Sequence, residues 1–300
     1  MAAVAGVVWW ALQQEPPQLP DAPGEFAALA AAVGLYGLAT VVRAERWQRL
    51  LVEDGAVPRR ADTYALIVVG YMGNNLLPAR AGDALRVLLL APRADTGRRT
   101  VVGTLLAERL LDVVVILLLF VVVGYGVLGA VGADKVEYVA IGVVVVALGA
   151  AAALALVRRN ARLHGFVEPM LSSTRGLRGR HGLWQLGATL VIWGLETGVW
   201  MCVGAAVGFG MDVLEGVYLV ALASVFALIP SGPGYAGTQD AAAVIGIKAI
   251  GGTGSTAVAY LLMLRFVLVV PITLLGLVLL GVRYGGLGRL RTAARAEAPA

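Results

Sequence analysis

Two interruptions, at residues 73–93 and 229–252, break a chain that otherwise runs in long apolar stretches, and their Pro, Gly, Arg and Asp residues limit what it can fold into. The apolar stretches, residues 25–42, 100–128, 136–157, 183–207 and 255–282, are each near the length of about 20 residues that a helix needs to cross ~30 Å of hydrocarbon. Hydrophobic residues make up 59% of the chain and charged residues 14%, a balance foreign to a water-soluble domain. The expected fold is all-α: a polytopic membrane helical bundle. Residues 1–12 are apolar but too short for a span; they read as the tail of a further span, or as a signal-like segment without its basic n-region.

The arginines sort the chain into two sides. They concentrate in residues 43–62, 93–99, 158–181 and 283–295, whereas 13–24 and 208–216 contain no basic residue. The positive-inside bias places the first group in the cytoplasm, giving a multi-pass protein of the inner or plasma membrane whose basic tail, 283–300, is cytoplasmic. The net charge of +5 is thereby accounted for without nucleic acid as a partner. The run after the first span alternates Arg43, Arg46 and Arg49 with Trp47, Leu50 and Leu51, which suits a helix lying along the inner surface. One cysteine, Cys202, and two histidines, His164 and His181, build neither a disulfide framework nor a metal cluster. No Walker loop is present for ATP, and no cofactor is expected.

Assigning sides exposes a shortage of residues. Between Asp62 and the basic segment at 93–99 lie only about 30 residues, where two spans and a turn need over 40. A re-entrant hairpin fits: 64–77 enters, 78–82 turns at Pro78 and Gly82, and 83–91 returns. The second interruption, with Pro230, Pro233, Gly234 and Gly237, repeats this from the opposite side. Broken backbone at such depth is tolerated where protein buries it or a wet cavity runs beside it. Residues 25–128 and 183–282 then read as inverted halves of a single membrane domain spanning 1–300, an arrangement that points to a transport site near the midplane.

The intramembrane charges need partners, since each costs about 2.5–3.5 kcal/mol at the bilayer centre on insertion scales. Glu108, Arg109 and Asp112 share one helix face, and Arg109 with Asp112 is an available pair. Glu196 and Arg265 have no charged neighbour in sequence; each is expected to meet the other or a hairpin. An unpaired Arg265 would suit a phosphate, which its planar fork binds through two parallel hydrogen bonds. Asp83 and Asp240 begin the returning half-helices, where a carboxylate caps backbone N–H groups and the helix terminus favours anions.

Three strings carry a resemblance. "NNLLPARAGDALR" is similar to N-x-x-x-P-x-R-x-G-[DE]-x-x-R, "ERLLD" to E-R-x-x-D, and "PSGPGYAGTQD" to P-x-x-P-G-x-x-G-x-x-E. These are motifs of the lysylphosphatidylglycerol synthase transmembrane family, also called flippase-like. Asp240 stands where the motif has glutamate. The resemblance implies a transporter, not an enzyme, that moves a phospholipid or polyprenyl-linked lipid between leaflets; the alternative is a membrane-embedded transferase, or an accessory subunit, in lipid-linked glycan or aminoacyl-lipid synthesis. The aminoacyl transfer of some members belongs to a further soluble domain and is not implied. Arg109 and Arg265 would hold the phosphate at the midplane, with Arg80, Arg86 and Asn74 as further headgroup contacts. Glu108, Asp112, Glu196, Asp83 and Asp240 would line the cavity or couple transport, and no residue is assigned a catalytic or metal role. The expected partners are membrane lipids with a phosphate-bearing headgroup; a homo-oligomer or a separate synthase partner is left open.

Overall fold

The computed structural model describes residues 2–78, 80–128, 159, 179–227 and 232–286. The expected span at 136–157, His164, Pro230 and the tail beyond 286 lie outside the described residues. Everything described is helix, turn or loop. The helices are α1 (Ala2–Ala11), α2 (Pro23–Glu53), α3 (Arg60–Leu76), α4 (Ala81–Leu90), α5 (Arg98–Leu128), α6 (Gly179–Ala206), α7 (Val213–Phe226), α8 (Thr238–Ala249) and α9 (Gly254–Tyr284). Of these α2, α6 and α9 are long and apolar enough to cross a membrane by length and composition. The protein is a multi-pass membrane protein.

Local chemistry sets several of the boundaries. Pro23 starts α2 with a φ already suited to a helix, and the Glu25 carboxylate accepts the Asp21 and Ala22 N–H groups at 2.9 and 3.3 Å. At α7 the Asp212 carboxylate accepts the Glu215 N–H at 2.8 Å while Glu215 accepts the Asp212 N–H at 2.9 Å, a reciprocal cap. Thr253 caps α9, and Gly285 ends it with φ 74°.

The order of long helix, hairpin, long helix occurs twice. Helix α2 packs along α6, α3 against α9, and α7 against α5, so each hairpin leans on the last long helix of the other half. One end of the bundle gathers basic residues: His181 Nδ1 lies 2.9 Å from Glu53, Arg283 3.0 Å from Asp62, and the Arg93 guanidinium 4.7 Å over the Tyr284 ring. The α3–α4 hairpin starts and finishes there. The α7–α8 hairpin starts and finishes at the opposite end, where Lys248 faces Trp10 and the Ser255 hydroxyl donates to the Pro16 carbonyl at 3.0 Å. The two turns meet between these ends: Arg80 Nη2 donates to the Ala227 carbonyl at 2.7 Å.

The segment after residue 42 departs from the expected surface helix. It is the continuation of α2, and Arg43, Arg46 and Trp47 are buried rather than interfacial. The polar stripe was legible in the periodicity, but not that carboxylates on other helices would face it. Only the far end behaves as an anchor, with the Arg49 guanidinium 3.8 Å over the Trp184 ring.

The first hairpin also turns earlier than expected. Helix α3 ends at Leu76 and α4 begins at Ala81, with Arg80 in the left-handed region at φ 55°, a conformation that costs a side-chain-bearing residue about 1–2 kcal/mol. Gly82 therefore serves packing and not the turn. A Cβ there would overlap the Gly70 carbonyl oxygen and come within 2.6 Å of the Asn74 backbone nitrogen; Gly73 in turn meets the Gly82 Cα. Small residues let the two backbones touch, as in membrane helix pairs generally. In the second hairpin Gly234 and Gly237 do make the turn, with φ of 62° and 95°. Because its clash is with backbone, Gly82→Ala should cost at least the roughly 1–3 kcal/mol typical of overpacking. Gly37→Ala, with nothing within 4 Å, should be neutral. Monodispersity of the two solubilised variants after a heating series, read by size-exclusion chromatography, checks the contrast.

Candidate functional site

Burial of charge in an apolar bundle forces pairing, and the pairs here join helices far apart in sequence. Arg46, with no exposed side-chain surface, donates from Nη1 to Asp112 Oδ1 at 2.7 Å and to Thr189 Oγ1 at 2.8 Å, and from Nη2 to Asp112 Oδ2 at 3.1 Å. The same guanidinium lies 3.3 Å from Glu108. Glu108 also accepts from Arg86 Nη2 at 3.0 Å, and the Arg86 guanidinium stacks 4.0 Å over the Trp47 ring. Arg86 and Arg109 each approach Asp83 at 3.4 Å. Arg43 Nη2 donates to Glu196 Oε1 at 2.6 Å.

The second half has a simpler counterpart. Arg265 donates from Nε and Nη2 to Asp240 Oδ1 and from Nη1 to the Gly234 carbonyl. The other Asp240 oxygen accepts the Gly237 N–H at 2.8 Å. In each half, then, an arginine of the last long helix holds an aspartate in the first turn of the returning hairpin helix: Arg109 with Asp83, Arg265 with Asp240.

Where the two turns meet lies a cavity of about 170 Å³, room for several waters or a phosphate-sized group. Four arginines line it, each from a different element: Arg43 of α2, Arg80 of the first turn, Arg109 of α5 and Arg265 of α9. Two carboxylates, Asp112 and Glu196, line it as well, so its wall carries an excess of positive charge. Asn74 and Asn75 of α3, Ser224 of α7, Gln239 of α8, Gly234 of the second turn and the rings of Tyr36, Tyr71, Trp193 and Trp200 add to the polar and aromatic wall. Arg43 lies 5.9 Å over the Tyr71 ring.

The expected site residues divide accordingly. Arg80, Arg109, Arg265, Asn74, Asp112, Glu196 and Gly234 come together around the cavity. Arg86 and Glu108 are buried in the ion network beside it. Among the described residues, the ion-pair partner of Glu196 is not Arg265 or a hairpin residue but Arg43, which sequence reasoning had placed at the membrane surface. Arg265 is not unpaired, because Asp240 reaches it from the second hairpin. Arg109 stands 3.9 Å from Asp112, as its i, i+3 spacing suggested, but it is closer to Asp83. Asp240 caps its helix; the Asp83 carboxylate turns to arginines instead. Arg43 and Trp193 are among the cavity residues that sequence reasoning missed, with Asn75, Ser224, Gln239 and the rings of Tyr36, Tyr71 and Trp200. The available signal was the i, i+3 spacing of Arg43 and Arg46 in phase with the preceding span.

The chain matches the Lysylphosphatidylglycerol synthase TM region family over residues 1–276. It is similar to a protein of Haloferax volcanii named Glycosyltransferase AglD, at 27% identity over 75% of this chain and 43% of that one. The chain thus spans less than half the length of that relative. No solved structure matches it.

The network predicts an order of sensitivity. Removing one partner of a fully buried ion pair leaves an uncompensated charge, at a cost of about 3–5 kcal/mol. Arg46→Gln, which strips Glu108 and Asp112 of a shared partner, should therefore lower the yield of folded protein sharply. Arg109→Gln, at a side chain 31% exposed that lies 3.4 Å from Asp83 and 3.9 Å from Asp112, should lower it less. Yield of monodisperse protein from membranes, measured for both, checks this ranking.

Proposed function

The chain belongs to the lysylphosphatidylglycerol synthase TM region family, and from that premise we propose that it moves the phosphate-bearing headgroup of a membrane lipid between leaflets. The observation that carries this reading is the cavity at the meeting of two hairpins that start from opposite ends of the bundle, lined by four arginines and two carboxylates. Its arginines come from both halves, so relative movement of the halves changes the arginine cluster as it opens to one side or the other. The headgroup occupies the cavity while the acyl or prenyl tails stay in lipid. The hairpins are re-entrant, and the basic end of the bundle is cytoplasmic, in accord with the positive-inside bias. Arg265 and Arg109 bind phosphate in exchange with Asp240 and Asp83, which hold them in its absence.

A second reading is favoured by one observation: the name of the Haloferax volcanii relative, Glycosyltransferase AglD. On that reading the membrane bundle presents a lipid-linked acceptor for sugar transfer in a lipid-linked glycan pathway, and the arginine cavity holds the lipid phosphate for chemistry rather than passage. Both readings place a lipid phosphate among the same arginines. They differ in the product.

Reconstitution in liposomes separates them. Purified protein should move a fluorescent phospholipid across the bilayer without any nucleotide-sugar; incorporation of radiolabelled sugar into lipid, with no translocation, would establish the transferase instead. Arg265→Gln removes charge-assisted bonds worth about 1.5–3 kcal/mol, and transport should slow roughly tenfold to hundredfold. Arg265→Lys should restore part of the rate, since an ammonium lacks the two-pronged fork. Unchanged transport by correctly inserted Arg265→Gln protein would reject the phosphate-binding role. The topology is checked by single-cysteine labelling in a Cys202→Ala background: probes at Gln18 and Asp212 should react from outside, and a probe at Thr96 only from inside.

A further inference from the structure

The apolar packing of this chain is divided in two, and α9 belongs to both parts. One cluster joins Val203 of α6, Leu219 of α7 and Ile247 of α8 with Tyr260, Leu264 and Val267 of α9. The other joins Leu66 of α3 and Leu90 of α4 with Leu280 and Tyr284 of α9. The cavity lies at the changeover. Along α5, Arg109 and Asp112 of its wall fall between Leu105 of the second cluster and Val123 of the first, and on α9 its wall includes Leu268 and Val269.

The polar bonds of α9 follow the same division. Before residue 270, Arg265 holds Asp240 and the Gly234 carbonyl, and the Tyr260 hydroxyl donates to the Trp200 carbonyl at 2.9 Å, all within the second half of the chain. Beyond it, Thr273 accepts from Asn75 Nδ2 at 3.0 Å, and Arg283 donates to Asp62 at 3.0 Å. Gly276 there lies so close to Met72 and the Val68 carbonyl that a Cβ would overlap them. The first length of α9 is thus tied to the second hairpin, and its second length to the first hairpin.

Pro271 stands where one length gives way to the other. Having no N–H, it leaves the Val267 carbonyl without its helical donor, and its ring crowds the same turn. Sharp bends in long helices arise at such positions. The other helices that take part in both clusters, α2 through Ala32 and Trp47 and α5 through Val123 and Leu105, have no proline in their interior.

We propose that Pro271 is a hinge: α9 bends there, the second hairpin with its apolar cluster tilts against the first, and the cavity beside the hinge opens and closes. The bond from Arg80 to the Ala227 carbonyl, which joins the two turns, is a contact that this tilt breaks and remakes. The proposal rests on the transport reading given above and deepens it by locating the movement on which that transport depends.

Distances between spin labels test it on the full-length protein in liposomes of phosphatidylglycerol and phosphatidylcholine. Leu262→Cys with Val282→Cys, at exposed positions of α9 in the Cys202→Ala background, labels both lengths, about 30 Å apart along a straight helix. Leu38→Cys with Val52→Cys, exposed on α2, is the control without a proline between the labels, at about 21 Å. The α9 pair should give a broad or two-peaked distribution and the α2 pair a narrow one. Pro271→Ala restores an N–H to the Val267 carbonyl, and should narrow the α9 distribution and slow movement of a fluorescent phospholipid several-fold. Pro271→Gly, which keeps the helix weak at that point, should retain the breadth and most of the rate.

A single narrow α9 distance in the parent protein, equal breadth on α2, or breadth unchanged in Pro271→Ala overturns the hinge. Full transport by Pro271→Ala protein with a narrowed distribution also overturns it, since the bend would then serve no movement of lipid. Should Pro271→Ala fail to fold, the contrast between α9 and α2 and the behaviour of Pro271→Gly still decide. The two readings fail separately. Bending in a protein that translocates no lipid upholds the hinge and defeats the transport reading; translocation with a rigid α9 does the reverse.

Discussion

Arg46 has no contact with solvent, and the rest of the first half is arranged around that fact. A guanidinium in an apolar bundle must be surrounded by acceptors, and two carboxylates and a threonine hydroxyl, from α5 and α6, converge on this one. Glu108 then needs a share of a second cation, which brings α4 inward through Arg86, and Arg86 settles over the Trp47 ring of α2. Four helices are thereby fixed by a chain of charges in which each member satisfies the next. The Trp47 indole N–H, donated to Thr104 at 3.0 Å, closes the circuit between α2 and α5. Apolar packing in lipid gives little discrimination between one helix register and another, whereas a network of this kind tolerates one.

The two halves use the same device differently. In each, an arginine from the last long helix clamps the aspartate in the first turn of the returning hairpin helix, which holds the hairpin tip in the interior of the bundle. The first half surrounds its clamp with a dense ion network; the second relies on the Gly234 carbonyl and an N-terminal cap on Asp240. The exchange of partners, α3 on α9 and α7 on α5, means that neither half buries its hairpin alone. For the proposed transport this coupling is apt, because movement of one hairpin is felt by the long helix of the other half.

The cavity is the place where this arrangement leaves room. Its arginines are engaged by carboxylates and carbonyls. In the proposed transport, an anion would enter such a site by exchange with the carboxylates rather than by capture of a bare cation, which would limit how tightly a headgroup is held. The left-handed Arg80 contributes to the same economy: its strained backbone sits at the contact between the two turns, where it reaches the Ala227 carbonyl.

Much of this was legible in the sequence for reasons that are local. Run lengths against the thickness of a bilayer announced the membrane helices, and the residue count between Asp62 and Arg93 left room for a hairpin and not for two spans. The Pro and Gly breaks located the turns within a few residues. Three short motifs pointed to the family that the chain matches. Asp83, Arg109, Asp240 and Arg265 stood out because charge in an apolar run is costly wherever it occurs. What the sequence could not decide was partnership. Arg43 and Arg46 read as surface anchors because a polar stripe on a helix says that something polar faces it, not whether that is water, a lipid headgroup or a carboxylate. Their partners lie 153 and 66 residues away, and only the packing of α2 against α5 and α6 brings Glu196 and Asp112 to them. Likewise Gly82 read as a turn residue until the backbone of α3 was seen to lie against it. Hydropathy and spacing act along the chain and can be read from it; ion pairs and backbone contacts act across space, and the tertiary structure alone determines which groups meet.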